Sequence, residues 1–199
     1  MKVKEIQLFE FDELPEAIKA KVIEKYRDIN TDYEWHDMSL ADWKEKLEAM
    51  GFEEPKIAFR GFCCQGDGAS FDCKNVDVEM FLASQKKKKD FEELVKAIKK
   101  GTVDVSASVI RIDHHYSHEY TVRGDVENSY LDNDDTGFTL QKQAQELEDL
   151  ITEVVRNISR NIYMKLESEY EYLTSDKAVI ETIEANEYTF RANGVMENE

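Results

Sequence analysis

Residues 59–73 read FRGFCCQGDGASFDC, a segment that combines two adjacent cysteines, three glycines and a central aspartate. The Asp-Gly pair at 67–68 is a strong signal for a two-residue hairpin turn, because both central positions of a type I′ turn need positive φ. Pairing outward from this turn places Phe62 opposite Cys73. Cys64 then lies opposite Phe71, and all four side chains share one apolar face. The segment therefore predicts a tight β-hairpin in which Phe62 and Phe71 are buried together.

Three functional sites are considered for the same segment: a phosphate-binding loop, a zinc site and a nucleophilic cysteine. A phosphate-binding P-loop needs the pattern GxxxxGK[ST], which this sequence lacks. Cys63 and Cys64 are expected on opposite faces of a strand, so they could not bind one zinc ion together. A nucleophilic Cys63 would need a nearby base, and the histidines of the next hairpin are the candidates. The sequence thus predicts no metal and no cofactor, and it leaves catalysis here as an alternative.

A histidine cluster lies in the later segment RIDHHYSHEY. A two-residue turn at Asp113 and His114 would place His118 opposite Val109, on the face that points to the core. His115 would then lie on the opposite, polar face. Because these histidines face different directions, the cluster does not predict a metal site.

A polar segment, DNDDTG, begins at Asp132 and matches the first half of a calcium-binding loop. Gln143 occupies the position where such a loop carries a bidentate glutamate. We therefore expect a polar connection from a strand to a helix at this point.

The predicted elements follow the order β-α-α-β-β-α-β-β-α-α, which is typical of the α+β class. We expect an antiparallel meander sheet of two hairpins plus an N-terminal strand at residues 3–11. Helices should pack on this sheet, including one long amphipathic helix at residues 140–173. The chain, residues 1–199, is expected to form a single domain with a tail that frays from about residue 192.

A meander of two hairpins brings both hairpin tips to the same end of the sheet. Loops at the end of a rigid sheet often carry function. The tips would present Gln65, Asp67, His114 and His115, which are candidate binding residues. We expect Gln65, Asp67 and His115 to line one shared surface depression.

The chain has 43 acidic residues against 26 lysines and arginines, which gives a formal net charge of −17. This charge opposes direct binding to nucleic-acid phosphates and to anionic membranes. It favours instead a protein partner with a basic surface. Glu146, Asp149 and Glu153, on the long helix, are a second set of candidate binding residues.

The three cysteines are Cys63, Cys64 and Cys73, an odd number within one segment. This is unlike the disulfide framework of a small secreted protein. The sequence has no apolar run near the roughly 20 residues that a membrane span needs, and its start lacks the apolar region of a signal peptide. We therefore expect a cytoplasmic protein.

Three segments resemble a family of accessory proteins encoded by phages and prophages: FDELPEAIKAKVIEKYRDIN at 11–30, FRGFCCQGDGASF at 59–71 and ESEYEYLTSDKAVIETIEANEYTF at 167–190. The resemblance covers nearly the whole chain and implies a location in the bacterial host cell. It implies no established catalytic residues, although some members are labelled antitoxin-like. Cys63 and Cys64 stand where this family is expected to have an aromatic and a small residue, which disfavours a catalytic thiol.

Two functional hypotheses follow from these observations. The first is a phage-type accessory protein that binds a host or phage protein, as an anti-defence inhibitor or an antitoxin-like factor, with its acidic surface imitating nucleic acid. The alternative is a small enzyme or ligand-binding protein with its site at the paired hairpin tips. A structural role in the virion also remains open.

Overall fold

The computed structural model describes residues 5–130 and 137–197. It confirms the α+β class, since helices accompany short antiparallel strand pairs and a long helix lies in the C-terminal part. The strands are β1 Leu8–Phe9, β2 Phe52–Glu53, β3 Lys56–Arg60, β4 Gly68–Asp72, β5 Asn75–Val76, β6 Val103–Arg111, β7 Val122–Tyr130 and β8 Phe190–Arg191. The helices are α1 Glu16–Lys25, α2 Asp37–Ala49, α3 Val78–Ser84, α4 Glu92–Lys100, α5 Gly137–Leu173 and α6 Asp176–Ala185. The acidic part of the expected calcium-like connection, residues 131–136, lies outside the described residues.

The chain divides into two compact units. The first unit comprises Met1–Asp37 and Glu167–Glu199, and the second unit comprises Met38–Leu166. Within the described residues every helix is too short or too polar to cross a membrane.

The second unit contains both predicted hairpins, β3–β4 and β6–β7. A bridge between Cys73 and Val109 joins them, with N–H···O distances of 3.2 and 2.9 Å in its two directions. The described strands form two-stranded pairs, and this bridge is the link between the two hairpins, so their order agrees with the predicted meander although they do not form one continuous ladder. Beneath β4, the Phe52 ring contacts Phe71 at 5.2 Å and Phe81 at 5.6 Å between centroids, which forms an aromatic core.

The register of the first hairpin differs from the prediction. Ile57, rather than Cys64, lies opposite Phe71, and Arg60 lies opposite Gly68. The connection is therefore a seven-residue loop, 61–67, rather than a two-residue turn. Phe71 is fully buried while Phe62 is half-buried in the loop, so the prediction that they are buried together is wrong.

The register of the second hairpin also differs. Arg111 pairs with Val122, so the connection is a ten-residue loop, 112–121. His118 lies in this loop and not on a strand opposite Val109, which pairs instead with Gly124. The prediction of a core-facing His118 is therefore wrong.

The helix α5 packs closely on β7. A Cβ atom added at Gly124 would lie 2.8 Å from Cγ2 of Ile151, so only glycine fits there. The Gly124 N–H donates to Oγ1 of Thr152 at 2.9 Å, and the Val126 N–H donates to Oε2 of Glu148 at 3.1 Å. Side chains of α5 thus accept hydrogen bonds from two backbone N–H groups of β7 that would otherwise be unpaired donors.

The first unit is built from β1, β8, α1 and α6. Its core comprises Phe11, Leu14, Val22, Val179, Ile183 and Phe190. The N-terminal strand, placed in the meander by the sequence analysis, pairs instead with β8. Near the C-terminus, the Glu197 N–H donates to the Thr189 carbonyl at 3.0 Å, and the fraying of the tail stays a prediction.

Candidate functional site

The two hairpin loops contact each other at one end of the sheet. A Cβ atom at Gly68 would lie 2.5 Å from Cβ of His118, and one at Gly66 would lie 2.5 Å from the Tyr116 ring. Arg60 Nη1 donates a hydrogen bond of 2.5 Å to the carbonyl oxygen of His115. The loops 61–67 and 112–121 therefore form one surface, which we call the tip surface.

The first loop is closed by the carboxylate of Asp67. Its Oδ2 accepts hydrogen bonds from the backbone N–H groups of Cys63 at 2.9 Å and Cys64 at 2.7 Å. The Asp67 N–H donates in turn to the Cys64 carbonyl at 3.0 Å. A Cβ atom at Gly61, whose φ is +43°, would lie 2.6 Å from Oδ2, so this glycine leaves room for the carboxylate.

The thiols of Cys63 and Cys64 are exposed and lie on the same side of this loop. Their sulfur atoms and a carboxylate oxygen of Asp67 are all within 4.8 Å of one another. The negative charge of Asp67, followed by that of Cys63, raises the pKa of the Cys64 thiol. The prediction that the two thiols point to opposite faces is wrong, because neither residue lies in a strand.

Cys73 has a different environment. It is buried where the two hairpins meet, and this burial raises the pKa of its thiol from the usual 9.0 to about 11. A protonated, buried thiol is a poor nucleophile and a poor metal ligand, so Cys73 behaves as a small core residue, as the sequence predicted.

The second loop is closed by His118 and Thr121. Nδ1 of His118 accepts from the Tyr120 N–H at 3.1 Å, so the proton of the neutral imidazole is on Nε2. Oγ1 of the buried Thr121 donates to the His118 carbonyl at 2.7 Å and accepts from the His118 N–H at 3.3 Å. These bonds hold a 3-10 turn, Glu119–Thr121, at the end of the loop.

A depression of about 580 Å³ lies between the loops. Its lining comprises Gln65, Gly66, Asp67, Tyr116, His118, Glu119 and Tyr120. The two tyrosines remain 44% and 59% exposed, respectively, although each is a large aromatic side chain. The tip surface thus offers exposed aromatic rings beside polar groups.

Side chains of α5 support both loops. Arg160 contacts Oε1 of Glu119 through Nε at 3.3 Å and Nη2 at 3.2 Å. The Arg156 guanidinium lies 5.6 Å from the centroid of the Tyr120 ring. In the first loop, the Phe62 ring packs on Tyr163 of α5 at 5.6 Å. Both loops therefore contact the same helix.

The structure brings together only some of the residues that the sequence pointed to. Gln65 and Asp67 line the depression, as expected. His115 is exposed and packs its ring on Tyr116 at 6.1 Å, but it does not line the depression; His118 does. His114 lines a separate groove between β4 and β6, beside Asp72 and Arg111.

Sequence reasoning overlooked Tyr116, Glu119 and Tyr120, which also line the depression. Two tyrosines in a short polar segment were the available signal. A strand that places His118 on the face that points to the core places residues 116 and 120 on the same face, because side chains two apart share a face.

The acidic candidates Glu146, Asp149 and Glu153 are exposed on α5. At 1.5 Å rise per residue, their separations along the helix axis are about 4.5 and 6 Å. Lys142 precedes this row, pairs with Glu146 at 3.5 Å, and Asn157 follows it. The row is thus limited to three carboxylates.

The described residues do not show a catalytic relay at the tip surface. In this part of the chain, no hydrogen bond joins His118 to Asp67 or Glu119, and none joins Cys63 or Cys64 to a histidine. Oδ2 of Asp67 is already occupied by two backbone donors.

Comparison with known proteins identifies a family. The chain belongs to the DUF8835 family, a domain of unknown function, whose model matches residues 35–176. No curated protein and no solved structure matches the chain.

Proposed function

We propose that this protein is an accessory factor that acts by binding a protein partner with a basic surface, and that the tip surface is the centre of the contact. The observation that carries the proposal is the closure of the two loops on each other with Tyr116 and Tyr120 exposed beside a depression. Exposed tyrosines on a fixed backbone are characteristic of residues that dominate binding energy at protein interfaces.

Both loops are held in one conformation by internal hydrogen bonds, which supports this role. Asp67 and Thr121 satisfy loop backbone groups internally, so little conformational entropy remains to be lost on binding. Tyrosine adds a large contact area with few rotatable bonds. A preorganised surface of this kind gains affinity without requiring a large interface.

The net charge of −17 supports the choice of partner. Long-range attraction to a basic surface increases the association rate, whereas contacts at the tip surface decrease the dissociation rate. Glu146, Asp149 and Glu153 contribute to the first effect. A row of three carboxylates is short for extended imitation of nucleic acid, so steering is the role we assign to it.

The resemblance to phage and prophage accessory proteins suggests the biological setting of this proposal. In that setting the partner is a host protein in the bacterial cytoplasm, and the action is that of an anti-defence inhibitor or an antitoxin-like factor. Direct binding to nucleic acid or membrane is not part of the proposal, because the charge opposes both.

The test compares two variants of the tagged chain in cross-linked capture from host lysate, followed by kinetics with the purified partner. Tyr116→Ala with Tyr120→Ala should increase the dissociation rate about tenfold or more. Reversal of Glu146, Asp149 and Glu153 to lysine should lower the association rate and weaken its salt dependence. Tyr172→Ala is the matched control, since Tyr172 is also an exposed tyrosine.

The proposal fails if the double tyrosine variant retains the partner with unchanged dissociation. An association rate that is constant from low to high ionic strength would show that the charge does not steer association and serves only solubility.

A second candidate function is the binding of a small ligand in the depression. It is favoured by the polar groups of Gln65 and His118 on the depression's lining. A thermal-shift screen of small polar metabolites tests it, with Gln65→Ala as the variant that should lose any stabilisation. A hit that raises the melting temperature of both proteins equally would place the ligand elsewhere.

A further inference from the structure

The first loop of the tip surface carries three potential metal ligands, to which the proposed contact assigns no role of their own. These are the Cys63 and Cys64 thiols and a carboxylate oxygen of Asp67, all within 4.8 Å of one another. The cluster combines two soft donors with one hard donor on a single short loop.

These separations are close to those of a tetrahedral zinc site. Zn–S bonds of about 2.3 Å and Zn–O bonds of about 2.0 Å place neighbouring ligand atoms roughly 3.5–3.8 Å apart. The ligand atoms therefore need to approach by at most about 1 Å, which exposed cysteine side chains can provide by small rotations.

The loop holds the carboxylate in place for such a site. Oδ2 of Asp67 is fixed by the N–H groups of Cys63 and Cys64, which leaves Oδ1 for a further ligand. Hydrogen bonds of this kind orient metal-binding side chains.

We propose that Cys63, Cys64 and Asp67 bind one thiophilic divalent cation of the zinc class. Two thiolates favour zinc or cadmium over magnesium and calcium, which prefer oxygen ligands. Three protein ligands leave one position of a tetrahedron for water. Binding releases the protons of the two thiols, because the thiolate is the form that binds metal.

The test titrates the full chain with Cd²⁺ under a phosphine reductant and follows the ultraviolet band of cadmium–thiolate bonds. We expect one ion per chain, displaced by Zn²⁺ and not by Mg²⁺. Cys63→Ser and Cys64→Ser should each lower the affinity at least about tenfold, and Asp67→Asn by about tenfold. Cys73→Ser is the matched control and should leave the band unchanged, since Cys73 is buried.

A second readout does not depend on the variants. Alkylation mapped by mass spectrometry should modify Cys63 and Cys64 in the free protein, and Zn²⁺ should slow both reactions without affecting Cys73. Circular dichroism checks that each variant folds.

Four outcomes would overturn the proposal: a band that survives both serine variants, an affinity unchanged in Asp67→Asn, one ion shared by two chains, or no protection of the thiols by Zn²⁺.

Discussion

The two loops of the tip surface are closed by different chemistry. A single carboxylate, that of Asp67, holds the loop 61–67 by accepting two backbone hydrogen bonds. In the loop 112–121, the hydroxyl of Thr121 and the imidazole of His118 hold a 3-10 turn. The first loop exposes thiols and the second exposes tyrosines.

This difference shows how the groups available for function are determined. In each loop, the side chains that bond to the local backbone become structural, and their neighbours are left exposed. Asp67 was a candidate binding residue; its Oδ2 closes the loop, and its Oδ1 is the oxygen that we propose for the cation. The exposed neighbours, Cys63 and Cys64 in one loop and Tyr116 and Tyr120 in the other, carry our proposals.

The largest expected effect tests whether the loops are joined. Gly68→Ala places a Cβ atom 2.5 Å from Cβ of His118 and 2.7 Å from the carbonyl oxygen of Ser117. One of these contacts is backbone, so the second loop must move, and we expect a loss of about 3 kcal/mol in the free energy of unfolding. Urea unfolding measures this loss.

Gly101→Ala is the control for the removal of a glycine. Gly101 has φ of +68° and no heavy atom within 4 Å of an added Cβ, so only backbone strain is expected, about 1 kcal/mol. Equal losses in the two variants would show that the loops are not packed against each other.

The next effect concerns Cys73, where the two hairpins meet. Its thiol pKa is about 11 in the folded chain and near 9.0 when exposed. Below pH 9 the thiol is protonated in both states. Between pH 9 and 11 the unfolded chain loses this proton first, so stability should fall by about 2 kcal/mol as pH rises.

The measurement is urea unfolding at several pH values, repeated on Cys73→Ala. The variant lacks the thiol, so its stability should fall less over the same pH range. If both proteins lose stability equally, other groups cause the alkaline slope.

The sequence predicted the fold well where patterns extended over many residues. The repeat of apolar residues three or four positions apart within 140–173 predicted a long helix with one buried face. Most of that stripe is buried in α5, but Val155 is buried where the stripe had Val154. The meander order also followed from the pattern of strands and helices. Long periodic segments are dominated by burial, which the sequence shows directly.

The sequence failed where a few local hydrogen bonds determined the register. The Asp-Gly pair at 67–68 predicted a turn, but the Asp67 carboxylate accepts from residues before it, and Gly68 enters β4 in close contact with the second loop. Likewise, the hydrogen bond between Thr121 and His118 holds these residues in the loop, so β7 begins only at Val122. The sequence therefore predicted that the two hairpin tips meet, as they do, but it placed His115 beside the depression where the structure has His118.

A smaller effect is expected from opening the first loop alone. Asp67→Ala leaves the N–H groups of Cys63 and Cys64 without their acceptor, although both residues are exposed to water. We expect a loss of about 1–2 kcal/mol, with faster hydrogen exchange at these two amides. Asp67→Asn keeps an acceptor oxygen and should lose less; equal losses would mean that the charge, and not the hydrogen bonds, closes the loop.

The corresponding change in the second loop is Thr121→Val. The valine keeps the buried volume but removes a hydroxyl that bonds twice to the His118 backbone. We expect a loss of about 1 kcal/mol and faster exchange at the amides of residues 118–121, with residues 63 and 64 unchanged. Faster exchange in both loops would show that they open as one unit, and it would contradict the conclusion that each loop is held by its own hydrogen bonds.

The smallest effect concerns the ion pair that connects the second loop to α5. Arg160 and Glu119 meet at 3.2 Å, but the Arg160 side chain is 48% exposed, so water and salt screen the pair. A double-mutant cycle with Arg160→Gln and Glu119→Gln should give a coupling of about 0.5 kcal/mol or less, which decreases with added salt. A coupling of several kcal/mol would mean that this pair, rather than Thr121 and His118, holds the second loop. In that case Arg160→Gln should also weaken partner binding as strongly as the loss of Tyr120, because the ring would no longer be held in position.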